Sequence, residues 1–272
     1  DVEADLVERY AAAGVNRFSL GVQSLIDERL KHLDRGHDAQ RAKDAIEALR
    51  GSGVRAVSVD LIFATPGQSV SSWVEELETA VDLGVDHLSV YALTVEPRTR
   101  LEKMIEQGSY PETDEDQSAE LFDCARDTLG GLGWSHYEVS SYARPGYEAI
   151  HNRAYWHGLS YLGIGAAAHG LVHQRRWVNH RRPGRYIEEA IAGHPEETSE
   201  LVTDDVWAWE RVLTGLRDLE RGVDRAWLSA ATGEPRHGGQ RCGPRPENSC
   251  VALLAQLQVE VGNAVLGFGQ QV

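Results

Sequence analysis

The chain has 272 residues, 42% hydrophobic and 25% charged, a globular profile with room for one large α/β domain plus an appendage, or for two ordinary domains. A formal net charge of −15 argues against a broad nucleic-acid-binding surface, no run approaches the ~18 apolar residues of a membrane span, and no charged-then-apolar leader opens the chain. Cys124, Cys242 and Cys250 are too scattered for a disulfide framework or a CxxC pair, so the cytoplasm is the expected compartment.

The opening "DVEADLVERYAAAGVNRF" enters directly into a helical pattern over Val2–Ala13, with Leu6, Tyr10 and Ala13 on one face. The only methionine is Met104, so the sequence reads as a fragment or as a gene model missing its beginning. A strand over Arg17–Gln23 follows, with Phe18, Leu20 and Val22 on one face and Ser19, Gly21 and Gln23 on the other. Asp38 is the expected N-cap of a helix that buries Ala42, Ala45, Ile46 and Leu49 and ends at Gly51 or Gly53. Next come a strand over Ala56–Phe63, the turn "TPGQS", and a helix over Trp73–Leu83 with a Ser72/Glu75 capping box. A strand over His87–Leu93 completes a βαβαβ rhythm, which calls for parallel strands.

All three strands pair one greasy face with one small, polar face. Val57, Val59, Leu61 and Phe63 oppose Ala56, Ser58, Asp60 and Ile62, while Leu88, Val90 and Ala92 oppose Ser89 and Tyr91. A doubly wound sheet would have two greasy faces; a barrel tolerates a polar interior that lines a ligand cavity. Gln23 and Asp60 stand at the carboxyl ends of their strands, where α/β barrels place their chemistry.

Beyond residue 100, "LEKMIEQG" and "EDQSAELFDCARDTLGGLG" read as helices, the second with Ala119, Phe122, Ala125 and Leu129 inward. "SHYEVSSYA" reads as a strand. A stretch rich in His, aromatics and glycine follows, with five arginines from Arg175 to Arg185, and a helix from Asp204 suggests a helical appendage. His169 and His173 make a weak zinc pair, because no helix aligns them and no carboxylate ligand stands nearby.

The segments "GVNRFSLGVQS", "LKHLDRGH", "SVDLIFATPGQS", "HLSVYALTVEP", "YEVSSYARPGYEAIHNRAYW" and "YLGIGAAAH" occur in an order that resembles the radical S-adenosylmethionine coproporphyrinogen III dehydrogenase superfamily, in particular its haem chaperone branch. The resemblance covers residues 1 to about 190. It implies an α/β fold: the C-terminal part of a partial (β/α)6 barrel over 1–100, an α+β extension over 101–200, and an incomplete helical region over 201–272. It also implies S-adenosylmethionine and a [4Fe–4S] cluster in the full-length parent, with Gln23, Arg35, Asp60 and Thr94 as S-adenosylmethionine contacts. An amide, a guanidinium and a carboxylate suit the zwitterionic end and ribose hydroxyls of that molecule. His151, Asn152, Tyr155 and Trp156 match the haem chaperone motif and are the haem-binding candidates, the His as axial ligand. The arginines could hold tetrapyrrole carboxylates, and a solvated arginine-rich hairpin explains them equally well.

Three departures stand out. The family's CxxxCxxC is absent, so the cluster cysteines are expected upstream of Asp1, no metal ligand is assigned within this chain, and the chain as written is expected not to cleave S-adenosylmethionine. Ala64-Thr65 stands where the family has Gly-Leu, a turn change expected to shift Asp60 slightly, and the tail from about Gly233 no longer resembles the family. The expected function is that of a haem chaperone that binds haem and passes it to acceptor proteins. The alternatives are oxygen-independent coproporphyrinogen III oxidation, a decarboxylation to protoporphyrinogen IX, and a non-enzymatic haem-binding remnant. An unrelated barrel enzyme would need an acid–base pair, for which only Asp60 and Glu138 offer themselves.

Overall fold

In the computed structural model, which describes residues 4–111, 114–224 and 226–228, helix α1 (Ala4–Ala12) leads into strand β1 (Arg17–Gln23). A short helix, α2 (Asp27–His32), lies in what the sequence leaves as a loop. Helix α3 (Ala39–Gly51) begins where expected, Asp38 accepting the Arg41 N–H at 2.8 Å. Strand β2 (Ala56–Phe63), helix α4 (Val70–Asp82) and strand β3 (His87–Ala92) follow. Helix α4 starts three residues before the predicted helix: its cap is Ser69, which accepts the Ser72 N–H, and not the Ser72/Glu75 box.

Helices α5 (Arg100–Glu106) and α6 (Glu115–Gly131) connect to β4 (Ser135–Glu138) and β5 (Ser141–Ala143). Helix α6 buries Ala125 and Leu129 as expected, with Phe122 half-buried against the core, while Leu121 is buried as well and Ala119 is exposed. "SHYEVSSYA" is a hairpin rather than one strand. The Glu138 carboxylate accepts the Ser140 N–H at 3.1 Å, and the chain reverses between Glu138 and Ser141, burying Tyr137 and Tyr142 fully.

The five strands form one sheet in the order β1-β2-β3-β5-β4. β1, β2 and β3 are parallel, as the alternation predicts, while β5 runs antiparallel to both β3 and β4. Val57, Val59, Leu61, Leu88 and Val90 pack under α3, α4 and α6 with Ile46, Leu49, Trp73, Leu77 and Leu121. Each such side chain contributes roughly 1.5–3 kcal/mol by leaving water. Trp73 also donates its indole N–H to the Leu121 carbonyl at 3.1 Å, which fixes α4 against α6.

The described residues fall into two units, the first ending at Glu148 and the second starting at Ala149. The second holds α7 (Ile150–Trp156), β6 (His169–Val172), β7 (Arg175–Asn179), α8 (Pro183–Ile191), β8 (Glu196–Leu201) and α9 (Asp204–Gly215). Its three strands form an antiparallel sheet in the order β6-β7-β8. Two glycines of this unit answer to packing: a Cβ on Gly163 would lie 2.2 Å from the His169 carbonyl oxygen, and one on Gly170 would lie 2.2 Å from the Trp177 ring. Within "YLGIGAAAH", Gly163 is thus required by the close approach of the His169 backbone. Val2, Glu3 and the tail beyond Gly233, with Cys242 and Cys250, lie outside the described residues.

Candidate functional site

The polar face of the parallel sheet is layered from the amino to the carboxyl ends of its strands. At the amino end, Ser58 Oγ meets His87 Nδ1 at 2.7 Å and His87 Nε2 meets the Tyr137 hydroxyl at 2.6 Å. Burial, with a smaller push from Arg17, lowers the His87 pKa to about 3, so the ring is neutral and serves as a hydrogen-bonding floor. One layer higher, Asp60 pairs in register with Ser89, and its Oδ1 accepts from Ser19 Oγ at 3.3 Å. Burial raises the Asp60 pKa, while hydrogen bonds from Ser89 and Ser19 pull it back. Ser19 and Gly21 are exposed, so the layer above the floor is open.

Gln23 closes this face at the carboxyl end of β1. The β1–β2 register runs evenly from Arg17↔Ala56 to Leu20↔Val59 and then jumps to Gln23↔Leu61, a bulge that places one extra residue in β1. Gln23 has φ +68°, and the Ser24 N–H donates to the Val22 carbonyl at 2.8 Å, so Gln23 is the middle of a positive-φ γ-turn. Its amide nitrogen lies 2.9 Å from where a Cβ on Gly21 would stand; the side chain is folded over the bare glycine on the polar face. Ser19, Gly21 and Asp60 thus share one face, and the Gln23 side chain joins them by folding back over Gly21, past a bulge and a turn that the alternation does not show.

Arg35 and Thr94 stand apart from that cluster. Arg35 is exposed in the α2–α3 loop, which is tethered to the strand end because His37 Nε2 meets the Val22 carbonyl at 3.0 Å. Thr94 is exposed beyond β3, and its hydroxyl turns back to the Ala92 carbonyl at 3.4 Å. Neither forms a hydrogen bond to Gln23 or Asp60. Sequence reasoning passed over Glu76, which is 3% exposed on α4 among Trp73, Leu77 and Ala80. A glutamate within an apolar helical stripe was the available signal.

In the second unit, α7 sets His151 and Tyr155 one turn apart, with His151 Nε2 on the Tyr155 hydroxyl. Tyr161 packs edge-on against Tyr155 at 4.2 Å between ring centroids and lies 6.2 Å from His151. In the same stretch of chain Ile150, Leu159, Leu162 and Ile164 are 75%, 56%, 66% and 88% exposed. Asn152 is exposed on the neighbouring face of the helix. Trp156 turns inward instead: it is buried, its carbonyl accepts from Thr214 Oγ1 at 3.3 Å, and it borders a cavity of about 290 Å³ with His157, Arg211 and Arg221. The motif thus splits into an exposed His151–Tyr155 pair and a core tryptophan.

His169 and His173 stand at opposite ends of β6, too far along the strand to converge, and no group of three or more His, Cys, Asp or Glu among the described residues could hold a metal ion. Of the arginines, Arg175 pairs with Glu196, Arg176 with Glu200 and Glu210, and Arg185 with Glu189, which fits the hairpin explanation. The chain does not fit a [4Fe–4S] cluster: its three cysteines share no close spacing, and Cys124 lies on α6.

Comparison with known proteins agrees with this fold. Residues 1–80 match the radical SAM superfamily model. The fold resembles coproporphyrinogen III oxidase (HemN) from Escherichia coli, a radical SAM enzyme, with a TM-score of 0.65 over 85% of this chain and 56% of that one; at 21% identity the likeness is one of fold. A HemW haem chaperone from Mycobacterium tuberculosis is 39% identical over 225 residues, covering 82% of this chain and 57% of that protein. The HemW of Escherichia coli K12 is 40% identical over 199 residues, covering 69% of this chain and 51% of its own length. By these matches the chain is a relative of the HemW haem chaperones within the radical SAM superfamily. It spans about half the length of the curated relatives it matches. No helix among the described residues is long and apolar enough to cross a membrane.

Proposed function

We propose that this chain belongs to a haem chaperone that binds haem on its second unit, passes it to acceptor proteins, and presents the open polar face of its first unit to S-adenosylmethionine. The observation that carries this reading is the exposed His151–Tyr155 pair packed against half-buried Tyr161, in a stretch of chain that also exposes Ile150, Leu159, Leu162 and Ile164. An apolar patch that holds an imidazole suits a porphyrin plane and its iron. Ligation through Nε2 would displace the Tyr155 hydroxyl, and Tyr155 and Tyr161 would then pack on the macrocycle. A surface position suits a protein that must give its haem away. On the first unit, Gln23 and Asp60 would hold the amino-acid end and a ribose hydroxyl, with Arg35 and Thr94 closing from their loops. Cleavage of S-adenosylmethionine would require a cluster, whose thiolate ligands the cysteines of this chain do not supply.

The test is ferric haem titration followed by transfer. The chain should bind haem with a shifted Soret band, lose at least tenfold in affinity on His151→Ala, and release its haem to apomyoglobin. A chain that produces no Soret change, or a His151→Ala variant that binds as well, would remove the reading.

A further inference from the structure

We infer that Glu76, together with Arg29, is a positioning residue that holds Gln23 in its strained turn and so pre-sets the Gln23 amide for its ligand; this rests on the reading of Gln23 as an S-adenosylmethionine contact. A non-glycine residue at the centre of a positive-φ γ-turn is unfavourable and persists only where its surroundings over-determine it. Here they do so on both sides. Before Gln23, the Val22 carbonyl meets both the Ser24 N–H and His37 Nε2. After it, Glu76 Oε1 accepts from Ser24 Oγ and from the Leu25 N–H at 2.7 Å. The second carboxylate oxygen pairs with Arg29, whose other guanidinium nitrogen donates to Ser72 Oγ at 2.6 Å. The side chains of Glu76 and Arg29 are 1% and 8% exposed.

A carboxylate this deep in the core loses its hydration and is expensive unless every lone pair is used. A hydrophobic residue in the Trp73–Leu77–Ala80 stripe would pack at least as well, so packing does not account for the charge. What the charge provides is a set of directional bonds to the two residues that follow Gln23. They fix the chain just past the turn and thereby hold the Gln23 side chain over Gly21 on the polar face. Without the anchor, Ser24 and Leu25 are free to relax, the turn opens to an ordinary extended backbone, and the Gln23 amide swings off the face that carries Asp60.

The experiment is calorimetric titration of S-adenosylmethionine into the full chain and three variants, at a temperature where each keeps its near-ultraviolet circular dichroism. Gln23→Ala should weaken binding about tenfold, the loss of about one good hydrogen bond at 1.4 kcal/mol per decade. Glu76→Gln should weaken it to a similar degree, and the double variant should be no weaker than Gln23→Ala alone, because an anchor has nothing to position once the amide is gone. Ser24→Ala, which removes one anchor contact but keeps the buried ion pair, should give a smaller loss of the same kind and serves if Glu76→Gln does not fold. If Gln23→Ala binds as the parent does, or the parent does not bind, the Gln23 reading falls and the inference with it. If Gln23→Ala weakens binding but Glu76→Gln and Ser24→Ala do not, or their losses add to that of Gln23→Ala, the reading stands and the positioning role is overturned.

Discussion

Two residues at strand ends of the parallel sheet lie in left-handed backbone without being glycine: Gln23 at φ +68° and Ala64 at φ +60°. The strain at Gln23 is held by a network; Ala64 is simply buried in the turn after β2, at the position where the family resemblance calls for glycine. Because an L-residue pays roughly 1–2 kcal/mol in that region, Ala64→Gly should raise stability by about 1 kcal/mol despite the added freedom of the unfolded chain. A denaturant midpoint measures this; an unchanged or lower midpoint would contradict it. The β2–β3 register runs unbroken from Ser58↔His87 to Phe63↔Ala92, so Asp60 keeps its place opposite Ser89 whatever the turn costs.

The titrating residues of the polar face pull stability in opposite directions. His87, held near pKa 3 by burial and by Arg17, stays neutral when folded but takes a proton near pH 6.5 when unfolded. The unfolded state therefore binds more protons below that pH, and stability should fall as pH drops from 7 to 5. His87→Gln should flatten that fall, as urea midpoints at the two pH values would show. Asp60 is raised by burial, so its folded form keeps a proton that the unfolded carboxyl has already lost, and its contribution declines as pH rises past the unfolded value. Asp60→Asn should accordingly unfold at higher denaturant concentration at pH 7 than the parent while binding S-adenosylmethionine less well. Lower stability would show that the carboxylate supports the fold.

At the scale of elements, α4 does most to define the first site. It opens on the Ser69 cap, buries Trp73 and Leu77 in the core, and sends Glu76 to the end of β1. Arg29→Ala would leave Glu76 charged and short of its partner and should cost roughly 3–5 kcal/mol, whereas Ser69→Ala should cost only about 1 kcal/mol. Thermal melts of the two variants separate these values readily; equal losses would mean that the pair is not under the strain of burial assigned to it. The strands were legible because Val57, Val59 and Leu61 alternate cleanly with Ser58 and Asp60. The bulge and γ-turn at Gln23 were not: a lone Gly21 inside the strand is the only local mark, and the flanking bonds come from His37 and Glu76, 15 and about fifty positions further on. The β4–β5 hairpin was hidden for a related reason: its turn is made by the Glu138 side chain and Ser140 rather than by an Asn-Gly pair.

Over the whole molecule, the sequence reading divides the chain at about residues 100 and 200, whereas the structure divides it between Glu148 and Ala149, inside the expected α+β extension. The His151–Trp156 segment was legible as a set but not in how it divides between surface and core. Helical spacing alone puts His151 and Tyr155 on one face and Trp156 about 100° away, and burial then decides which residues meet solvent. The arginine run left a ligand and a solvated hairpin open, and for Arg175 and Arg176 cross-strand carboxylates favour the hairpin.

The account stands most directly on one spectrum: electron paramagnetic resonance of the ferric haem complex, recorded for the parent chain, His151→Ala and Trp156→Phe. It predicts a histidine-ligated iron in the parent and in Trp156→Phe, and loss of that signal in His151→Ala with far-ultraviolet circular dichroism unchanged. An identical spectrum from His151→Ala would place the haem elsewhere and contradict the assignment of the second unit.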